Sequence, residues 1–146
     1  MTLIRAAICS VILVTAYPAF SQNTPHPSLD EHSLLRPAEF KPKYPESSTA
    51  IARGRRLFKD PRLSTNGRSC SSCHTDIDSF GARFGSPYPH AAMNSKARFG
   101  VDQMHLDEII QVCMQGPMRN LPFEWGSREQ IDITTYLLKV QVTGKM

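Results

Sequence analysis

Residues 70–74 are Cys70-Ser71-Ser72-Cys73-His74, and this pentad determines how the rest of the chain is interpreted. Two thiols separated by two residues and followed directly by an imidazole form the attachment motif for c-type haem. Each thiol adds to a vinyl group of the porphyrin, and the imidazole becomes an axial ligand of the iron. The pentad therefore predicts one covalent haem c, held by Cys70 and Cys73, with His74 as the proximal iron ligand.

Two other kinds of site use closely spaced cysteines. The histidine directly after Cys73 disfavours a plain redox dithiol. A zinc site would need a second pair of ligands at finger-like spacing, and none follows the pentad. Haem attachment is the interpretation that gives all three side chains a role.

The composition describes one small domain. The chain has 146 residues, a hydrophobic fraction of 40% and a formal net charge of +4. No basic run interleaved with aromatic residues is present, so nothing in the sequence indicates a nucleic-acid partner.

The N-terminal segment has the features of an export signal. Arg5 precedes an apolar run over residues 6–14, and the small residues Ala19 and Ser21 suit cleavage before Gln22. The run is shorter than the ~20 residues that a membrane span needs. We therefore expect residues 1–21 to be removed, leaving a periplasmic protein with no stable membrane span, in a compartment that also suits haem attachment.

Residues 22–46 contain five prolines and few apolar side chains. This composition predicts an extended or disordered arm rather than a packed element, although Leu34, Leu35 and Phe40 could dock on the domain. We assign residues 47–143 to the haem-binding domain.

A helical pattern precedes the pentad. Ser47–Thr49 offers an N-cap for a helix over residues 50–59. Gly54 costs ~1 kcal/mol of helix propensity relative to alanine. Its position one turn before Phe58 therefore predicts the close approach of another helix.

Two further helical patterns follow the pentad. Apolar residues over 106–114 repeat at helical spacing and place Cys113 on the inward face, and Gly116-Pro117 ends the pattern. A capping box at Ser127–Gln130 predicts the start of the last helix. The expected buried stripe of that helix consists of Ile131, Thr135, Leu138 and Val142, widened by Ile133, Leu137 and Val140.

Residues 75–100 are rich in glycine, proline and serine, which predicts a loop wrapped around a flat cofactor. We expect its aromatic residues to line the porphyrin: Phe80, Phe84, Tyr88 and Phe99. His90 and Met93 are further candidates for the iron, but a polar loop residue is more often solvated.

This order of elements resembles the plan of a class I cytochrome c, which implies an all-α fold of small helices around one haem. In that family the first and last helices cross near a glycine and an aromatic residue. The resemblance implies that Gly54, Phe58 and Tyr136 make these contacts.

The second axial position of the iron has two candidates. Cys9 leaves with the signal and the pentad uses Cys70 and Cys73, so Cys113 remains as an unpaired thiol, either a small core residue or a functional sulfur. Met118 lies in a Gly-Pro-Met loop before the last helix. A thiolate, a thioether or an open position would give a low-potential carrier, a higher-potential carrier or a gas-binding protein.

A second resemblance concerns the segment around Cys113. Ile109–Cys113 through Met118, Leu121-Pro122 and Ser127–Glu129, with the upstream loop Phe84–Pro89, are similar to thiosulfate dehydrogenases and Sox-type sulfur-oxidising cytochromes. The resemblance implies that Cys113 is the iron ligand and Met118 lies nearby, and that a small sulfur anion is a candidate substrate. Ile109 stands where that family has an arginine.

A third resemblance covers the entry to the pentad. Gly54–Phe58 and Asp60–Ser64 are similar to bacterial cytochrome c peroxidases and their MauG-like relatives. Those enzymes have two CxxCH motifs on a longer chain, and this sequence has one.

Together these patterns predict a periplasmic monohaem cytochrome c that passes single electrons to protein redox partners in the oxidation of inorganic sulfur compounds. The predicted axial ligands are His74 and Cys113, with Met118 as the alternative to Cys113, and no catalytic residue is assigned. The alternatives are a thiosulfate-oxidising enzyme acting at the same haem and a His/Met carrier unrelated to sulfur.

Overall fold

The computed structural model describes residues 31–146. They form four α-helices: α1 Ser48–Phe58, α2 Ser95–Phe99, α3 Leu106–Gln115 and α4 Arg128–Thr143. No strand occurs in this range, and the predicted all-α class is confirmed. The predicted signal peptide, residues 1–21, and the first part of the proline-rich arm, 22–30, lie outside the described residues.

Helices α1 and α4 cross in close contact at Gly54. A Cβ atom built on Gly54 would overlap the carbonyl oxygen of Asp132 and lie 2.6 Å from the Cβ of Tyr136. One turn later, the rings of Phe58 and Tyr136 meet edge to face with their centroids 5.5 Å apart. The close approach predicted from Gly54 is therefore present, and its partner is the last helix.

The N-termini of both helices are capped, and the hydroxyl of Ser47 accepts a hydrogen bond from the amide of Ala50. At α4 the hydroxyl of Ser127 accepts from the amide of Gln130, as expected. The Gln130 side chain accepts from the amide of Gly126 rather than from that of Ser127. The second hydrogen bond of the predicted capping box, the one to the Gln130 side chain, therefore comes from Gly126, one residue before the expected donor Ser127.

The predicted buried stripe of α4 is partly wrong. Val142 is 81% exposed, whereas Ile133, Leu137 and Val140 are buried together with Tyr136. The contact with Gly54 fixes the rotation of α4, because it turns the Asp132 and Tyr136 positions towards α1. The residues assigned only to widen the stripe therefore form its centre.

Two side chains of the described part of the arm, Leu34 and Phe40, pack on the domain, although most of residues 31–46 are exposed or half-buried. Leu34 is fully buried in a small cluster with Phe99, Met104 and Val112. Phe40 lies against Trp125 with ring centroids 5.1 Å apart. Leu34 and Phe40 thus dock on the domain, an outcome that the sequence left open.

Helix α2 was not predicted, because its five residues lie in a segment dominated by loop-forming residues. It turns Phe99 into the cluster with Leu34. Within residues 31–146, no helix is long and apolar enough to cross a membrane.

Candidate functional site

A cavity of about 400 Å³ lies between the pentad, the loop that follows it, α3 and α4. Pockets for small molecules and cofactors fall in the range of about 300–1,000 Å³ and are mostly apolar. None of the described residues that line this cavity is acidic. Its apolar and aromatic lining includes Phe58, Phe80, Phe84, Tyr88, Leu106, Ile109, Ile110, Met114, Ile133 and Leu137.

The pentad forms one side of the cavity. Residues Cys70–Ser72 make a tight helical turn, in which the amides of Cys73 and His74 both donate to the carbonyl of Cys70, at 3.2 and 3.0 Å. Both cysteines are free thiols that line the cavity, with Cys70 half-buried and Cys73 exposed. One turn of backbone therefore presents two thiols and an imidazole to the same space.

The imidazole of His74 is oriented by the turn that follows. Its Nδ1 lies 3.2 Å from the carbonyl oxygen of Ser79. A carbonyl accepts only, so Nδ1 is the protonated nitrogen and Nε2 keeps its lone pair for a metal. The ring stacks on Phe80 with centroids 4.2 Å apart.

Cys113 and Met118 lie together on another wall of the cavity. Both residues line it, and the amide of Met118 donates to the carbonyl of Cys113 at 3.0 Å. Met118 is 3% exposed and belongs to the main core. The structure thus brings every predicted site residue to one cavity and places both candidates for the sixth ligand there.

The apolar surroundings control the ionisation of the thiols. Burial raises the pKa of Cys113 to about 11, and burial followed by the charge of Cys113 raises the pKa of Cys70 to about 12. The same two causes raise the pKa of Tyr88, which lines the same cavity, to about 12. Without a cation in the cavity, Cys113 is therefore a neutral thiol at pH 7.

These residues fit a haem. A coordinating metal ion deprotonates a thiol outright, so an iron in the cavity would convert Cys113 to the thiolate form that can ligate it. His74 offers a free ring nitrogen, Cys70 and Cys73 offer unpaired thiols, and the aromatic walls match an apolar macrocycle.

Hydrogen bonds tie the loop of Met118 to the segment before the pentad. The amide of Thr65 donates to the carbonyl of Met118 at 3.2 Å, and the hydroxyl of Thr65 donates to the carbonyl of Arg119 at 2.6 Å. The side-chain amide of Asn66 donates to the carbonyl of Pro117 at 2.9 Å. The two sides of the cavity are therefore held at a fixed separation by contacts about fifty residues apart in the chain.

The structure favours His90 as a candidate iron ligand more strongly than the sequence did. It lines the cavity, stacks on Tyr88 at 4.2 Å, and its buried Nε2 has no hydrogen-bond partner in the described residues. Its backbone is fixed by a two-bond bridge to Met104, just before α3. This bridge could not be predicted from the sequence, because the two residues lie in separate loops.

Three of the four aromatic loop residues predicted to line the porphyrin lie at the cavity, and the fourth does not. Phe80, Phe84 and Tyr88 line the cavity as predicted, and Met93 lies at its edge with 38% exposure. Phe99 does not line it, because α2 directs this ring towards Leu34 on the far side of α3.

Residues 48–116 match the model of a protein family described as di-haem cytochrome c peroxidase. The matched range contains α1, the pentad, His90 and Cys113, and it ends before Met118 and α4. No match was found among curated proteins or among solved structures.

The match agrees with the peroxidase-like entry to the pentad, and it adds nothing specific to thiosulfate dehydrogenases. It supports electron transfer through haem, with haem c as the cofactor, in a small all-α domain of the cytochrome c kind. The family's name specifies two haems, so the match does not confirm the expected number of one.

Proposed function

We propose that this protein is a periplasmic monohaem cytochrome c that transfers single electrons between protein partners, with His74 and Cys113 as the axial ligands. The observation that carries the proposal is the convergence of the pentad and Cys113 on one apolar cavity. Cys113 is the ligand we favour because it is a free thiol on the wall that α3 forms, and because that segment resembles thiolate-ligated cytochromes.

Bound haem c supplies a one-electron ferric/ferrous couple. The chain would hold it through Cys70 and Cys73, and the carbonyl of Ser79 keeps His74 in the tautomer whose Nε2 could ligate iron. The aromatic and aliphatic lining would surround the macrocycle mainly with apolar side chains. A thiolate from Cys113 donates more electron density than a thioether and therefore stabilises the ferric state.

Covalent attachment is tested by replacing both pentad thiols. The variant Cys70→Ser/Cys73→Ser is expected to lose all haem on denaturation, because no thioether remains, whereas Cys73→Ser alone keeps one. The measurements are haem staining of a denaturing gel and intact-protein mass, which should correspond to the mature chain plus one haem. A wild-type protein purified without covalent haem, or with two, would contradict the proposal.

The axial ligand is tested by electron paramagnetic resonance and visible spectra of the ferric protein. The variant Cys113→Ala is expected to lose the low-spin signals of a thiolate-ligated haem, because its side chain has no sulfur donor. Met118→Ala removes the neighbouring sulfur and serves as the matched control. Identical spectra for wild type and Cys113→Ala would show that Cys113 is not the ligand.

The link to inorganic sulfur rests on the resemblance around Cys113. Ile109 lines the cavity without a charge, and Arg68 and Arg83 are the only lysine or arginine residues among the described residues that line it. The uncharged side chain of Ile109, at the position where the related enzymes have an arginine, favours a carrier over an enzyme that binds thiosulfate beside Cys113. Turnover of thiosulfate with ferricyanide by the isolated protein would instead support the enzyme.

Reduction of hydrogen peroxide is a second candidate function. It is favoured by the family match and by His90, whose unpartnered Nε2 belongs to a side chain that lines the same cavity. Peroxide needs two electrons and two protons to give two waters, whereas one haem passes one electron at a time. Peroxide-dependent oxidation of a reduced cytochrome by wild type, and its loss in His90→Ala, would establish this activity.

A further inference from the structure

Helix α3 has two different faces. Leu106, Ile109, Ile110 and Cys113 line the cavity on one face. The opposite face carries the buried residues Asp107, Glu108, Gln111 and Val112, none of which lines the cavity. The contacts of that second face determine where the helix stands relative to the cavity.

The folded part of the arm covers the second face. Leu34 packs on Val112, Met104 and Phe99 in a cluster separate from the core around the cavity. The arm therefore lies behind α3 as a second layer, with the helix between it and the cavity.

Polar contacts fix this layer to the first turn of α3. The Nε of Arg36 donates to both carboxylate oxygens of Asp107, at 3.0 and 2.9 Å, and the hydroxyl of Tyr44 donates to the same carboxylate. The amide of Arg36 donates to Glu108 at 2.9 Å. Asp107 is fully buried, so it depends on these donors to balance its loss of water.

We infer that Arg36, Tyr44 and Leu34, the arm clamp, position the sixth ligand of the iron by holding α3 from behind. The inference rests on the proposed haem function and extends it to residues far from the cavity. Cys113 lies six residues, fewer than two helical turns, after Asp107. A shift of the first turn therefore moves the ligand with the helix, because a helix behaves as a rigid element over this length.

The chain contains a matched control. Arg53 makes an equivalent two-bond pair with Asp132, through Nε and Nη2, between α1 and α4. Its side chain is 34% exposed against 21% for Arg36, and each carboxylate is nearly or fully buried, at 4% and 0%. Loss of either pair should lower stability, but only the pair of Arg36 touches α3.

The test uses the ferric holoprotein and added imidazole, which competes with Cys113 for the iron and is followed by the visible spectrum. Arg36→Gln is expected to raise the apparent affinity for imidazole at least about tenfold, because a weakened internal ligand competes less well. Arg53→Gln should lower the urea midpoint comparably and leave imidazole affinity within about twofold of wild type. Arg36→Lys, which keeps the cation, should restore part of the wild-type affinity.

Tyr44→Phe removes a single hydroxyl from Asp107, so it tests the clamp if Arg36→Gln does not fold, and it should change the affinity in the same direction by a smaller factor. The comparison is between a clamp variant, either Arg36→Gln or Tyr44→Phe, and the control variant Arg53→Gln. If both bind imidazole with equal affinity, the clamp is overturned and the haem function remains intact. A wild-type protein without covalent haem, or a Cys113→Ala variant with wild-type imidazole affinity, would overturn the ligand proposal and the clamp with it.

Discussion

Replacing Gly54 by alanine is expected to lower the free energy of unfolding by about 3 kcal/mol, a large part of the roughly 5–15 kcal/mol that stabilises a domain. The added Cβ would overlap the carbonyl oxygen of Asp132 and crowd the Cβ of Tyr136. Neither atom can rotate away, so α1 and α4 must separate, and the contacts of Arg53 and Phe58 across the same interface weaken. The gain in helix propensity, ~1 kcal/mol, is too small to compensate.

The matched control for this prediction is Gly85→Ala. A Cβ at Gly85 meets no atom within 4 Å, and its backbone does not occupy the left-handed region. We expect this variant to lie within about 0.5 kcal/mol of wild type. Urea unfolding of the holoproteins, followed by circular dichroism of the helices, measures both. If the two alanine variants unfold at the same midpoint, the helix crossing does not depend on Gly54.

The Gly54 contact was predictable because its evidence is local. A glycine in the middle of a helix is unfavourable, and its place one turn before Phe58 pointed to a second helix. The inward position of Cys113 was predictable for the same reason, since helical spacing states directly which residues share a face. The rotation of α4 was not, because two overlapping apolar faces were available and only the contact at Asp132 and Tyr136 selects one.

The packing of the arm, in contrast, could not be predicted from local evidence. Its prolines predicted an unpacked segment, and the contacts that fix it join residues 71 positions apart, as in the pair of Arg36 and Asp107. Such a pair has no periodic signal in the sequence. The one available sign was the position of two acidic residues, Asp107 and Glu108, at the start of an otherwise apolar helix, where buried carboxylates need a cationic partner.

The sequence reduced the main candidates for the sixth ligand to two residues but did not decide between them. Spacing from His74 allowed both Cys113 and Met118, and the structure places both on the same cavity because the carbonyl of Cys113 accepts the amide of Met118. His90 joins them only through its bridge to Met104, a tertiary contact. All three residues line the cavity, so position alone does not identify the ligand. The chemistry of their donor atoms must distinguish them.

The reduction potential separates these donors. Cys113→Ala is expected to raise the midpoint potential by at least about 100 mV, a modest part of the roughly 0.8 V over which axial ligands set haem potentials. The reason is that loss of a thiolate removes the electron density that stabilises ferric iron. Met118 and His90 line the same cavity, and a thioether or neutral imidazole in place of the thiolate would favour the ferrous state.

Spectroelectrochemical titration of wild type, Cys113→Ala and Met118→Ala under the same conditions measures this effect. Met118→Ala should shift the potential by less than about 60 mV, the change that corresponds to a factor of ten for one electron. The opposite pattern, a large shift for Met118→Ala and none for Cys113→Ala, would make the protein a His/Met carrier. A backbone hydrogen bond joins Cys113 and Met118, so a general disturbance of this wall of the cavity would shift the potentials of both variants alike. Different shifts for the two variants would therefore show that one of the two sulfurs ligates the iron.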